Sequence, residues 1–384
     1  MTSSSSGSMR LPSLTGMRFF AAFLVFLCHA CVLGFFDQQT EASLRDLAFT
    51  SGWMGVEFFF ILSGFVLTWS AREGQTRVRF WRRRLVKVYP NHVLVWLAAV
   101  GLAVWAGETV GLVELLPNLL LAHTWYPRLD VLVPINVVTW SLACDVFFYL
   151  AFPFLYAAVR KIPARLLWTS AAVVAGTIVL LPAVAYFALP GTPQLPGQNM
   201  SVVQNWFLVS FPPIRALDFT LGIIMARIVW EGRWIGLGIG QGLGLLAVGY
   251  AFQVYLWPSV YGLTATVVVP LALLISAVAV ADVRDTVSPF RGRTLQWLGA
   301  VSFASYLVHY LVLRYAHVAL GADRSWNVLP AVGLLAVLFA ITTVLAWALF
   351  RFVELPSMRR WAAPRRRDSG STPRPQVRSP ERTG

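Results

Sequence analysis

Ten apolar runs, each close to the roughly 20 residues needed to cross a bilayer, constrain this chain more than any motif does. They lie near 17–36, 53–71, 88–106, 138–159, 166–188, 214–230, 235–256, 260–280, 296–317 and 328–352. An eleventh stretch, 112–125, is too short and is broken by Pro117, so it reads as interfacial or re-entrant. Inside hydrocarbon every backbone polar group needs an internal partner, and helices supply it. The expected fold is therefore all-α and polytopic, with about ten transmembrane helices. The chain of 384 residues is 57% hydrophobic and only 12% charged, a balance that excludes a disordered chain and argues against a soluble enzyme.

The loops test this count. With the N-terminus inside and ten alternating helices, 26 of the 31 Lys and Arg fall on the inner side. Arg45, Arg128, Arg215, Arg314 and Arg324 fall outside or at outer helix ends. Cytoplasmic loops carry such an excess, so both termini are expected in the cytoplasm of a bacterial cell. The net charge of +14 belongs to that membrane face and calls for no nucleic acid. Residues 1–10 read as a disordered start, and no cleavable signal is apparent, so the first helix should be retained. Residues 356–384, rich in Arg, Pro and Ser, read as a disordered basic tail against lipid. No internal repeat stands out.

Ionisable residues within spans are costly and mark candidate sites. Arg18 and His29 share the first span. Eleven residues apart, they lie on one helical face about 16 Å apart along the axis. Each also has a plain structural reading: a snorkelling Arg and a His hydrogen-bonded in the bundle. Glu57 lies on the second span, about one turn below its outer end, where Gly55 and the Ser63–Gly64 pair would let another helix approach. Asp145 lies on the fourth span beside Ser141, Cys144 and Tyr149, and must be paired or protonated if buried. On the sixth span, Arg215 and Asp218 suit a local i,i+3 ion pair at the outer rim. His309 lies on the ninth; His92, His123 and His317 fall near interfaces.

Between the second and third spans runs a basic loop with seven cations from Arg72 to Lys87. It is topogenic. Its density also suits a polyanion, because Arg forks hold phosphates bidentately; anionic lipid headgroups compete for that reading. Cys28, His29 and Cys31 read C-H-x-C, yet no second ligand pair exists, so no metal site is expected. Three cysteines exclude a disulfide scaffold. Nucleotide-loop, hydrolase-elbow and zinc-protease motifs are absent.

Four stretches together resemble the acyltransferase family 3 of multi-pass membrane enzymes. They are "LPSLTGMRFFAAFLVFLCHA", "GVEFFFILSGFVLTWS", "FWRRRLVKVYP" and "TWSLACDVFFYLAFP". A late "SFASYLVHYLVLRYAH" is similar to the family's penultimate helix, and the likeness runs from about 11 to 355. The chain departs from the family in two places. The family's Arg-x-x-Arg is Arg84 followed by Lys87 here, and its fourth-helix Glu is Asp145, followed by Val146. The stretches look most like those of actinomycete macrolide acyltransferases.

The resemblance implies O-acyl transfer from acyl-CoA to a hydroxyl of a small natural product such as a macrolide. Arg18, Arg82, Arg83, Arg84 and Lys87 would then hold the donor's phosphates. His29 would act as general base, with Asp145 or Glu57 orienting it and His309 as a second base or oxyanion donor. Direct transfer and an acyl-histidine relay both stay open. An envelope-glycan acceptor is the alternative within the family. A proton-coupled carrier is the alternative outside it, because ten helices with buried His, Glu and Asp would also suit one.

Overall fold

The computed structural model describes residues 10–71, 74–132, 135–195, 200–255 and 265–361. Its elements are α1 (Pro12–Val32), α2 (Gln38–Trp69), α3 (Arg77–Trp105), α4 (Leu112–Leu119), α5 (Leu129–Leu132), α6 (Thr139–Arg160), α7 (Leu167–Ala188) and α8 (Val202–Asn205). They continue with α9 (Pro212–Trp230), α10 (Ile239–Tyr255), α11 (Val268–Val283), α12 (Arg293–Leu320), α13 (Val328–Leu349) and α14 (Leu355–Trp361). Among the described residues the chain is all-helical, and eight helices are long and apolar enough to cross a membrane. The expected seventh and eighth spans correspond to α10 and α11, of 17 and 16 residues. Part of the stretch expected near 260–280 lies outside the described residues, as do Arg72, residues 1–9 and residues from 362 onward. Helix continues through a π turn at Phe350–Glu354 into α14, so order extends past the expected boundary at 355.

The centre of the bundle is α2, packed between α1 and α9. Backbones touch at the α2–α9 crossing. A Cβ on Gly64 would collide with the carbonyl of Phe219, and one on Gly222 with that of Ile61; only glycine permits so close an approach. Gly55 serves the same purpose against α1, where a Cβ would lie 2.7 Å from the Ala21 carbonyl oxygen. The packing reading of these glycines matches the structure.

The "LPSLTG" stretch docks the start of α1 onto α11 and α12. Pro12 opens the helix, and its missing N–H belongs to a turn without intrahelical partners. The Ser13 N–H donates to Asp282 Oδ2 at 2.9 Å, and the Ser13 hydroxyl to Asp282 Oδ1 at 2.6 Å. Arg291 pairs with the same carboxylate at 3.0 Å. A Cβ on Gly299 of α12 would collide with the Thr15 carbonyl. One remote acid thus caps the first helix.

Two expectations are corrected here. The basic stretch is not a loop: Thr76 caps α3, which begins at Arg77, so most of its cations ride on the helix's opening turns. The second correction concerns Arg215, expected at an outer rim: it is buried and pairs with Glu57 of α2 as well as with Asp218. The apolar segment feeding α9 starts at Val202 and passes through α8 and a π turn, about a dozen residues before the expected start.

Candidate active site

Helical periodicity gathers residues from five helices around an internal cavity of about 150 Å³. On α3, residues 84, 87, 88 and 91 form one stripe at i, i+3, i+4 and i+7. Arg84, Lys87 and Val88 line the cavity. Asn91, one turn further, donates to Glu354 Oε2 at 3.1 Å. On α6 the stripe is Ser141, Asp145 and Tyr149. Arg18 of α1, Ser63 of α2, and Ser302 and Tyr306 of α12 complete the polar lining; the rest is apolar.

Charge in this cavity is only partly balanced. Among the described residues no carboxylate lies within ion-pair distance of Arg18 or Arg84, and no cation within that distance of Asp145. Lys87 reaches Glu354 Oε1 at 3.9 Å. Asp145 Oδ1 is buried without a hydrogen-bond partner. Arg84 lies over the rings of Phe80 and Tyr149, at 5.5 and 6.0 Å from their centroids. Three cations against one acid, Asp145, leave the lining net positive and suited to an anion, with Glu354 behind Lys87. Of the other expected phosphate ligands, Arg82 and Arg83 are exposed on α3. Arg83 lines a second pocket at the basic end, which meets the inner cavity at Leu67 and Arg84; Arg82 lines neither.

The inner cavity ends at Tyr306, whose hydroxyl lies 2.6 Å from that of Ser141. One turn further along α12 is His309. Its Nδ1 lies 2.8 Å from the Tyr306 carbonyl oxygen, and its Nε2 lies 3.1 Å from His29 Nδ1. His29 Nδ1 also lies 2.9 Å from the Val25 carbonyl oxygen. A carbonyl only accepts, so each Nδ1 carries a proton. His309 Nδ1–H donates to the Tyr306 carbonyl, and the one His29 Nδ1–H is shared between the Val25 carbonyl and His309 Nε2. That leaves His29 Nε2 with its lone pair free. The two rings are 5.0 Å apart, and Tyr310 packs on His29 at 5.2 Å. The structure therefore joins His29 to His309, which were expected in alternative roles.

Glu57 goes elsewhere. Fully buried, it binds Arg215, which also pairs with Asp218 at 2.9 Å. Arg215 stacks over Phe60 at 5.2 Å. None of the three lines the cavity, although Val56 and Phe60 beside Glu57 do. Neither Glu57 nor Asp145 is hydrogen-bonded to His29. Among the described residues no cluster of three metal-type ligands occurs, and Cys28 packs its side chain on Gly52.

Two members of the site escaped the sequence reading. Glu354 carried a signal: it is the only acid between Asp323 and Asp368, set amid arginines at the end of the last apolar run. Tyr306 carried none, because a tyrosine in an aromatic helix looks like packing.

A bundle of apolar helices enclosing a cationic cavity, with an imidazole pair one helical turn beyond the Tyr306 of its lining, suits an integral-membrane enzyme of group transfer. The family model described as Acyltransferase domain matches residues 11–351. Acyltransferase MdmB of Streptomyces mycarofaciens is 40% identical over 96% of both chains. The chain belongs to acyltransferase family 3 and is a multi-pass membrane acyltransferase. No solved structure matches it. Membership decides against the carrier alternative.

Proposed function

We propose that the enzyme moves a short acyl group from acyl-CoA to a hydroxyl of a hydroxylated small molecule, a macrolide being the class its sequence stretches favour. The observation that carries this reading is the line from the basic end of α3, through the cavity of Arg18, Arg84 and Lys87, to the His29–His309 pair. Phosphates would bind at the basic end, and the pantetheine arm would extend along the cavity. An acceptor hydroxyl would then attack the thioester carbonyl as His29 Nε2 takes its proton. His309 Nε2, accepting from His29 Nδ1–H, would share the resulting positive charge. Collapse of the tetrahedral intermediate breaks the C–S bond, and His29 returns its proton to the thiolate. Products are the ester and free CoA. Asp145 would hold the cations in place and face the arm.

The same reading takes α10 and α11 as two shorter spans. At 17 and 16 residues they reach about 25 Å, nearly the hydrocarbon thickness. Ten spans put both termini in the cytoplasm, as the charge asymmetry favours, and the basic mouth then faces cytosolic acyl-CoA at the bacterial cytoplasmic membrane.

Titration of acetyl-CoA into the purified protein tests it, comparing wild type with an Arg83→Ala, Arg84→Ala variant. Saturable binding that weakens in the variant is expected. A folded wild type that binds no acetyl-, propionyl- or longer acyl-CoA overturns the donor assignment.

A further inference from the structure

The basic pocket at the end of α3 has an architecture the cation run alone does not convey. It encloses about 370 Å³ between α2, α3 and α6. Four guanidiniums line it: Arg77, Arg83 and Arg84 from α3, and Arg160 from the end of α6. Among the described residues no acid is in the lining, and none of the four forms an ion pair with a described acid. One wall is aromatic. Phe80 stacks on Phe152 at 5.1 Å and 26°, and Phe152 on Tyr156 at 5.4 Å and 14°. Arg160 lies 5.8 Å from the centre of the Tyr156 ring. The Tyr156–Arg160 pair continues the α6 stripe that carries Asp145 and Tyr149 into the inner cavity.

Topology asks only for positive charge near this face. It does not ask for a walled pocket with nearly parallel rings and unpaired forks on two sides. Those features suit a purine nucleotide: every base has a π-face to lay on an aromatic wall, and guanidinium forks match phosphate oxygens bidentately. We infer that this pocket seats the adenosine 3′-phosphate end of the acyl donor, with Tyr156 in the wall that takes the base and Arg160, aided by Arg77, taking the 3′-phosphate. The inference rests on the acyl-CoA reading above and adds the residues that tell CoA from other thioesters. Arg84, shared with the inner cavity, is left for the diphosphate, which the pantetheine arm follows inward. A 3′-phosphate carries about −1.5 to −2 charges at pH 7, so an unpaired fork beside it sets a preference. An anionic lipid headgroup offers phosphate too but no base, and leaves the rings unused.

Binding of acetyl-CoA and of 3′-dephospho-acetyl-CoA to the detergent-purified protein tests this, by wild type, Arg160→Ala and Tyr156→Ala, with thermal unfolding confirming that each variant is folded. Wild type should prefer acetyl-CoA about ten- to a hundredfold. Arg160→Ala should lose most of that preference while binding the dephospho form nearly as well as wild type does. Tyr156→Ala should weaken both donors alike and keep the preference. Equal affinity of wild type for the two donors, or a preference that survives in both Arg160→Ala and the Arg77→Ala, Arg160→Ala variant, overturns the assignment but leaves the donor reading intact. Binding of neither donor by folded wild type overturns both. Added phosphatidylglycerol that displaces acetyl-CoA from wild type but not from Arg160→Ala identifies a lipid site and overturns the nucleotide assignment.

Discussion

Two groups of buried charge, both flanking α2, show how differently the same residue types can be used. Between α2 and α9, Glu57 and Asp218 close on Arg215, and none of the three is in the lining of the inner cavity. Around the inner cavity, Arg18 and Arg84 have no carboxylate in reach and Asp145 keeps an unpartnered oxygen. Pairing separates the two. A charge whose partner is protein holds helices together. A charge left facing a cavity retains its capacity to bind something that arrives later. The first group is the clamp of the α2–α9 crossing, where Gly64 and Gly222 already bring the backbones together; the second is the site proposed for the donor.

Removing one cation from each group should break them apart most visibly. Arg215→Ala leaves two carboxyls buried without their guanidinium, a loss of about 3–5 kcal/mol. Monodisperse yield and melting temperature should fall sharply. Arg18→Ala should melt within a few degrees of wild type yet bind acyl-CoA at least about tenfold more weakly. An Arg215→Ala protein of normal stability, or an Arg18→Ala protein of normal affinity, contradicts the division.

The next effect lies at the imidazole pair, beyond Tyr306 of the cavity lining. His29→Ala should retain donor binding and fold while turnover falls about 10²- to 10⁴-fold, measured as free CoA released in the presence of acceptor. Unchanged turnover rules out His29 as the base.

Much of this was legible from residue order. The apolar periods and loop charges gave the helical membrane fold, and the shared face of Arg18 and His29 pointed at the helix that links the two ends of the site. What was hidden followed from packing between distant segments. Glu57 and Arg215 are 158 positions apart and His29 and His309 are 280 apart, so no local pattern could pair them. The cations of α3 looked equivalent until the helix sorted them: Arg84 and Lys87 inward, Arg82 outward. Asp282 caps α1 across 269 positions, again beyond any local pattern.

A smaller effect sharpens the pairing within the imidazole dyad. His309 serves His29 through Nε2, and a glutamine can place its side-chain oxygen near that position. His309→Phe removes the acceptor and should lower kcat about tenfold with little change in KM for the donor, a loss in the range of one hydrogen bond to a charged group. His309→Gln should recover most of it. A glutamine variant as slow as the phenylalanine one means that His309 acts as an acid or base itself.

The smallest effect comes from the one acid that belongs to both groups. Glu354 pairs with a cation, as Glu57 does, but that cation is Lys87, which lines the cavity. Its distance of 3.9 Å is long for a clamp, and its second oxygen is held by Asn91. If Lys87 serves the donor, Glu354 competes with the donor's phosphates for it. Glu354→Gln keeps the Asn91 contact and deletes the competing charge. KM for acyl-CoA should then fall by about two- to fivefold, the scale of a loosely held ion pair, while kcat and melting temperature stay near wild type. A KM that rises together with a lower melting temperature places Glu354 with the clamp, and Lys87 outside the donor site.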